Sequence, residues 1–196
     1  MHNKLQITLF LATLILTFLT PTLSFTSSSE QKLTIQGIKS NIAHSVRIKN
    51  GLNNIDIDGD NAKDIIMNGY RGNITAHDFD AYSFYIFMDK ISNIVAISDS
   101  DDVSKDKYEI FTHKGADCIL RDIRLFKNKD EKSYNLVIAE REFGETYVDE
   151  KKVTFSLYKL DYDNDETRFI FRKYGEIKSK NNYCDVEEAF KKELDM

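Results

Sequence analysis

From Leu33 onward the chain is cut into runs of four to ten residues, and this segmentation limits the fold more than any other feature. The runs are Leu33–Ile38, His44–Lys49, Asn54–Ile57, Asp64–Tyr70, Ala81–Met88, Ile91–Ile97, Tyr108–Phe111, Asp117–Phe126, Tyr134–Glu142, Lys152–Leu160 and Thr167–Tyr174. Their apolar residues alternate, and β-branched and aromatic side chains fill them. Breaks such as 127–132 and 161–165 are rich in Asn, Asp and Lys. The one proline is Pro21, so the turns rely on Gly, Asn, Asp and Ser. Many short strands at this spacing predict a mainly β fold, an antiparallel β-sandwich or barrel-like sheet. Ala81–Met88 is apolar on both parities, which predicts a central strand covered on both sides. The period changes at the C-terminus. Asp185-Val-Glu-Glu188 has the form of a helix cap, and Val186, Ala189, Phe190 and Leu194 share a helical face. A short C-terminal helix over Asp185–Leu194 should lie against the sheet.

The first residues stand outside this pattern. A basic start ends at Lys4, Leu5–Leu19 is uncharged and apolar, and small residues precede Phe25. That is the layout of a signal peptide over residues 1–24, since the run is short for a membrane anchor. The expectation is a periplasmic or secreted protein with no integral membrane segment after cleavage. A mature chain from Phe25 keeps 172 of the 196 residues, which suits one β-rich domain over 25–196. Cleavage removes Lys4 and no acid, so the formal charge moves from −5 to −6. A mildly acidic domain is a poor partner for nucleic acid or an anionic membrane. Both cysteines, Cys118 and Cys184, lie in the exported part. In an oxidising compartment they most simply form one disulfide; the alternative is two separately buried thiols.

Gly115–Leu125 is the organising strand. Alternation puts Ile119, Arg121, Ile123 and Leu125 on one face, and Cys118, Leu120, Asp122 and Arg124 on the other. A guanidinium at position 121 in an apolar row must be paired, hydrated or used. A hairpin with Tyr134–Glu142 sets Arg121 diagonal to Glu140, with Glu142 as the alternative partner. Arg141 falls on the other face, near Arg124 and Asp122.

Hydrolytic signatures are absent. There is no Gly-x-Ser-x-Gly. Ser-x-x-Lys occurs at Ser29, Ser104 and Ser156 without the companion motifs of serine β-lactamases. His44, His77 and His113 form no zinc-binding pair. Asp56-Ile-Asp-Gly-Asp-Asn-Ala-Lys-Asp64 places Asp56, Asp58, Asp60 and Asp64 where a tight loop could converge them on calcium. It resembles an FG-GAP-type loop. The alternative is an Asp-rich turn whose carboxylates cap backbone amides.

Five blocks together carry a wider resemblance. They are Asp56–Ile66, Thr75–Tyr85, Gly115–Leu125, Arg141-Glu-Phe-Gly-Glu-Thr-Tyr-Val-Asp149 and Tyr183-Cys-Asp-Val-Glu-Glu-Ala-Phe190. Their order and sequence resemble the CarG-like carbapenem intrinsic-resistance family. The resemblance implies an exported, non-hydrolytic protein that protects a cell from a carbapenem, and a β-rich fold similar to inhibitors of invertebrate lysozyme. It also implies a homodimer. Asp60-Asn61 departs from the Asp-Gly expected in that loop. A carbapenem carries a carboxylate on a small bicyclic body, so a site for it pairs Arg with aromatic walls and hydrogen-bond donors. The candidates are Arg121, Arg124, Glu140, Arg141, His77 and Tyr147. The other function classes open to such a chain are a lysozyme inhibitor and a calcium-stabilised binding module.

Overall fold

The computed structural model describes residues 33–72 and 77–196. The signal-peptide expectation for residues 1–24, and the leader after it, lie outside the described residues. Among the described residues no helix is long and apolar enough to cross a membrane.

Alternation becomes one large, mostly antiparallel sheet that stays open rather than closing into a barrel. The sheet begins at β2 (Gly51–Ile55), β3 (Asp64–Gly72) and β4 (Asp78–Met88). The short strand β8 (His113–Lys114) carries it onward from β4, and β7 (Ile110–Phe111) pairs with β4 beside it. It then crosses β9 (Ile119–Asn128), β10 (Asn135–Arg141), β11 (Val153–Asp163) and β12 (Arg168–Lys178). β1 (Ile42–Val46) pairs with the end of β9. The stretch expected as one strand over Ile91–Ile97 divides at Val95. β5 (Ile91–Ile94) pairs with β4, and β6 (Ala96–Ser98) pairs in parallel with β12. The sheet therefore folds back over itself, with the β4 side chain Phe84 meeting Phe171 of β12 edge-on at 5.4 Å.

One core fills this fold, with Ile66, Phe84 and Ile86 against Ile123, Leu136, Ile138 and Phe171. A second lies on the outer face of β9–β12. There Phe126, Val137, Phe155 and Leu157 meet the C-terminal segment through Val186, Ala189, Phe190 and Leu194. That segment is α2 (Val186–Ala189), continued by a π-turn over Phe190–Leu194. Asp185 caps it by accepting from the Glu187 amide at 2.7 Å. Each buried apolar side chain on this face contributes roughly 1.5–3 kcal/mol.

Three expectations need correction. Leu33–Ile38 is not a strand: α1 spans Ile35–Asn41, because Thr34 caps the Gly37 amide and Ile35 and Ile38 fall on one helical face. β4 is covered on one side only. Tyr82, Phe84 and Ile86 are buried, while Tyr85 and Phe87 remain half-buried on the outer face. Ile119 does not share the face of Ile123. His113 pairs with Arg121 but Lys114 pairs with Ile119, so a β-bulge at Leu120 reverses the alternation and turns Ile119 into the second core.

Candidate functional site

The inner faces of three strands change character along their length. On β9 the row runs Arg121, Ile123, Leu125; on β10 it runs Glu140, Ile138, Leu136. On β11 it runs Thr154, Ser156, Tyr158, Leu160. The apolar ends lie under the folded-over flank of the sheet. The polar ends lie beyond its reach and form a groove of about 830 Å³. A neighbouring cavity of about 580 Å³ shares Asp99, Lys107, Arg121, Ile138 and Tyr158 with it.

Arg121 stands directly opposite Glu140 rather than diagonal to it, one pair away from the expected register. The pair is loose, with Nε 3.9 Å from Glu140 Oε2. That Nε is buried and makes no hydrogen bond among the described residues. The side chain as a whole keeps about a third of its exposure. A partly exposed pair at this distance contributes at most roughly 1 kcal/mol. At the waist of the groove, Tyr158 donates to Asp99 at 2.5 Å, and Lys107 Nζ stands 2.9 Å from the same carboxylate. Burial pushes the Asp99 carboxyl up, but these two donors outweigh it and hold the group below its ordinary value.

The far end of the groove is aromatic. His113 and Phe143 line it. Tyr147 stands behind them, 5.7 Å from His113 and 5.2 Å from Phe143. His77 stacks on Tyr147 at 4.4 Å. His77 and Tyr147 thus support the wall rather than form it. Burial, then the nearby His77, pushes the His113 imidazole below its ordinary range, so it is a neutral donor–acceptor at neutral pH.

Arg141 reaches the groove's rim. Its Nη1 donates to the Asp149 and Cys184 carbonyls at 2.6 and 3.2 Å, while Nε and Nη2 are buried without partners among the described residues. Arg141 therefore ties the 142–150 loop to the disulfide and still has unused donors. Cys118 and Cys184 are bonded as expected, with Cα atoms 5.7 Å apart. Arg124 is not at the groove. It is buried on the opposite face, between Asp122 and Glu187 and over the Phe190 ring. Sequence reasoning singles out Arg121, Glu140 and Arg141, which the structure brings together although alternation puts Arg141 on the other face, with His77 and Tyr147 behind. It missed His113, Phe143, Asp99, Lys107 and the hydroxyls of β11. The alternation Thr154-x-Ser156-x-Tyr158, on the parity opposite to Val153, Phe155 and Leu157, is the available signal.

The Asp-rich loop is a separate place. Asp56, Asp58 and Asp64 can bring oxygens within 4.8 Å of one another; Asp60 does not join them. Asp60 instead accepts from the Ala62 amide. Asp56 accepts from the Gly59 and Asn61 amides, and Asp64 from those of Ile57 and Phe87. Gly59 has φ +83°, and a Cβ there would come 2.7 Å from the Lys132 backbone. Burial raises the carboxyls of Asp58 and Asp64. Three carboxylates are chemically suited to calcium, which takes six to eight oxygens. All four acids already cap amides. Chelation with EDTA is expected to leave the melting temperature unchanged; a fall of several degrees, restored by calcium, would assign the loop to the ion.

Residues 48–192 match the sequence profile of the family described as carbapenem resistance protein CarG-like. Among solved structures, the one described as the crystal structure of CarG is similar at a TM-score of 0.63 and 26% identity. The similarity covers 76% of this chain and 94% of that one. No curated protein matches the chain.

Proposed function

Because the chain belongs to the CarG-like carbapenem-resistance family, we propose that it protects a cell by holding a carbapenem in the groove at Arg121, without cleaving it. The loosely paired guanidinium of Arg121 carries this reading, because it faces a groove and leaves donors unused. A drug carboxylate would replace the weak contact with Glu140 by a two-point, charge-assisted one. Ile138 and Phe143 supply apolar contact for the bicyclic body, and the Thr154 and Ser156 hydroxyls lie in reach of its carbonyl and side-chain oxygens. Hydrolysis needs an activated nucleophile or water. Ser156, the serine of the groove, has no base in hydrogen-bond contact among the described residues, and the Tyr158 hydroxyl is committed to Asp99, which with burial holds it protonated. The action proposed is therefore sequestration or shielding. Export by the N-terminal segment would place it where the drug meets its targets, and the disulfide suits an oxidising compartment.

The test expresses the full chain in a carbapenem-sensitive host. Arg121→Met and Arg121→Ala should melt within about 1 kcal/mol of the parent, given a weak surface pair. Both should lose most of the protection. Retention of full tolerance in both variants would overturn the assignment of the groove.

A further inference from the structure

A second pocket, of about 410 Å³, opens between β3, β4 and β9, away from the Arg121 groove. Its floor is polar and buried. Asn68 and Asp80 are 5% and 6% exposed, on the inner faces of neighbouring strands. Asp80 Oδ2 takes a hydrogen bond from Lys114 Nζ at 2.5 Å and a long one from the Tyr82 hydroxyl at 3.5 Å. Asp80 Oδ1 and two of the three Lys114 protons remain unused in these contacts. Asn68 Oδ1 is fully buried and accepts from nothing among the described residues. A buried acceptor without a donor is costly unless something fills it. At the mouth stand Arg47 and the ring of Tyr70, which is 57% exposed.

We propose that this pocket binds a carbohydrate, taking adjacent hydroxyls of one sugar ring on the Asn68–Asp80–Lys114 floor. A hydroxyl donates one hydrogen bond and accepts two. The floor offers the complement, with free acceptors on Asn68 and Asp80 beside a free donor on Lys114. A simple anion meets two acceptor oxygens there, and a simple cation meets Lys114 and Arg47. A neutral diol conflicts with neither. The exposed Tyr70 ring supplies the flat apolar surface on which the C–H face of a sugar can rest. The volume falls in the range of small-molecule pockets.

The test is an NMR titration of the purified chain with the methyl glycosides of glucose, galactose, mannose and N-acetylglucosamine, each to about 100 mM, a range suited to weak sites. Sodium acetate and ethylammonium chloride serve as ionic controls. Saturable shifts of the Asn68 side-chain amide and the Tyr70 ring are expected with at least one glycoside. Affinity should fall threefold or more in Tyr70→Ala, whose exposed position leaves folding intact, and further in Lys114→Gln. No saturable shift with any glycoside overturns the proposal. So does equal response to acetate or ethylammonium, or a sugar response confined to the Arg121 groove.

Discussion

Arg124→Ala is expected to cost about 3–5 kcal/mol, the range for removing one partner of a buried ion pair. Arg124 is 4% exposed and its guanidinium serves four groups at once. Nη1 donates to Asp122 at 2.9 Å and to the Ile123 carbonyl at 2.7 Å. Nη2 pairs with Glu187 of α2, and the plane lies 4.9 Å from the Phe190 centroid. The alanine variant leaves Asp122 and Glu187 facing each other with only the exposed Arg47, 3.6 Å from Glu187 Oε2, as a counter-charge. Burial, together with its contact with Glu187, already pushes the Asp122 carboxyl up to about 6 even with Arg124 in place. It would take up a proton at neutral pH in the variant. Arg124→Met keeps the contact with Phe190 and should cost less, and adding Asp122→Leu should recover part of the remainder, since a packed apolar pair can equal a buried ionic one. Urea melts of the three proteins at neutral pH check the order. A loss below about 1 kcal/mol in Arg124→Ala, the scale of an exposed pair, would show that the network does not hold the C-terminal helix.

The second large effect belongs to the disulfide. It spans 66 residues, from the start of β9 to the cap of α2. The chain-entropy model gives about 4 kcal/mol for a loop of that length. Cys118→Ser/Cys184→Ser should lose most of that in a denaturant melt, and the parent under reductant should follow it. Arg141 gives a local readout, because its Nη1 donates to the Cys184 carbonyl. Freeing the C-terminal segment should therefore loosen the 142–150 loop as well, and raise amide exchange at Glu145 and Thr146, whose amides Asp149 caps. Equal melting of parent and double variant would contradict this account.

Much of the architecture could be read from alternation alone. Val153, Phe155 and Leu157 are buried as their parity required, and Asp185 caps the C-terminal segment. Arg121 faces inward beside Glu140, which needs only the period of a strand. What failed was whatever depends on a single inserted residue or on a partner remote in sequence. The bulge at Leu120 has no signature in an unbroken run of apolar and charged residues, so Ile119 was placed on the wrong face. Thr34 and two isoleucines three apart fit a strand end as well as a helical turn, and tertiary packing of α1 decided between them. The groove itself follows from where the folded-over flank stops. That boundary is set by long-range packing, so Arg121 was visible as an oddity while Asp99, Lys107 and His113 were not. Arg124 looked as available as Arg121 by parity. Only the arrival of Glu187 and Phe190 from the far end of the chain separates a structural arginine from one left with donors to spare.

The most direct measurement follows one carbapenem and one protein in two channels. Purified parent and Arg121→Met are titrated with the drug by calorimetry, while the lactam chromophore is followed in the same solution. The account predicts saturable binding to the parent, loss of at least tenfold in affinity in Arg121→Met, and a lactam absorbance that does not decay in either. Decay of the lactam in proportion to the amount of parent protein, or equal binding by Arg121→Met, would contradict it.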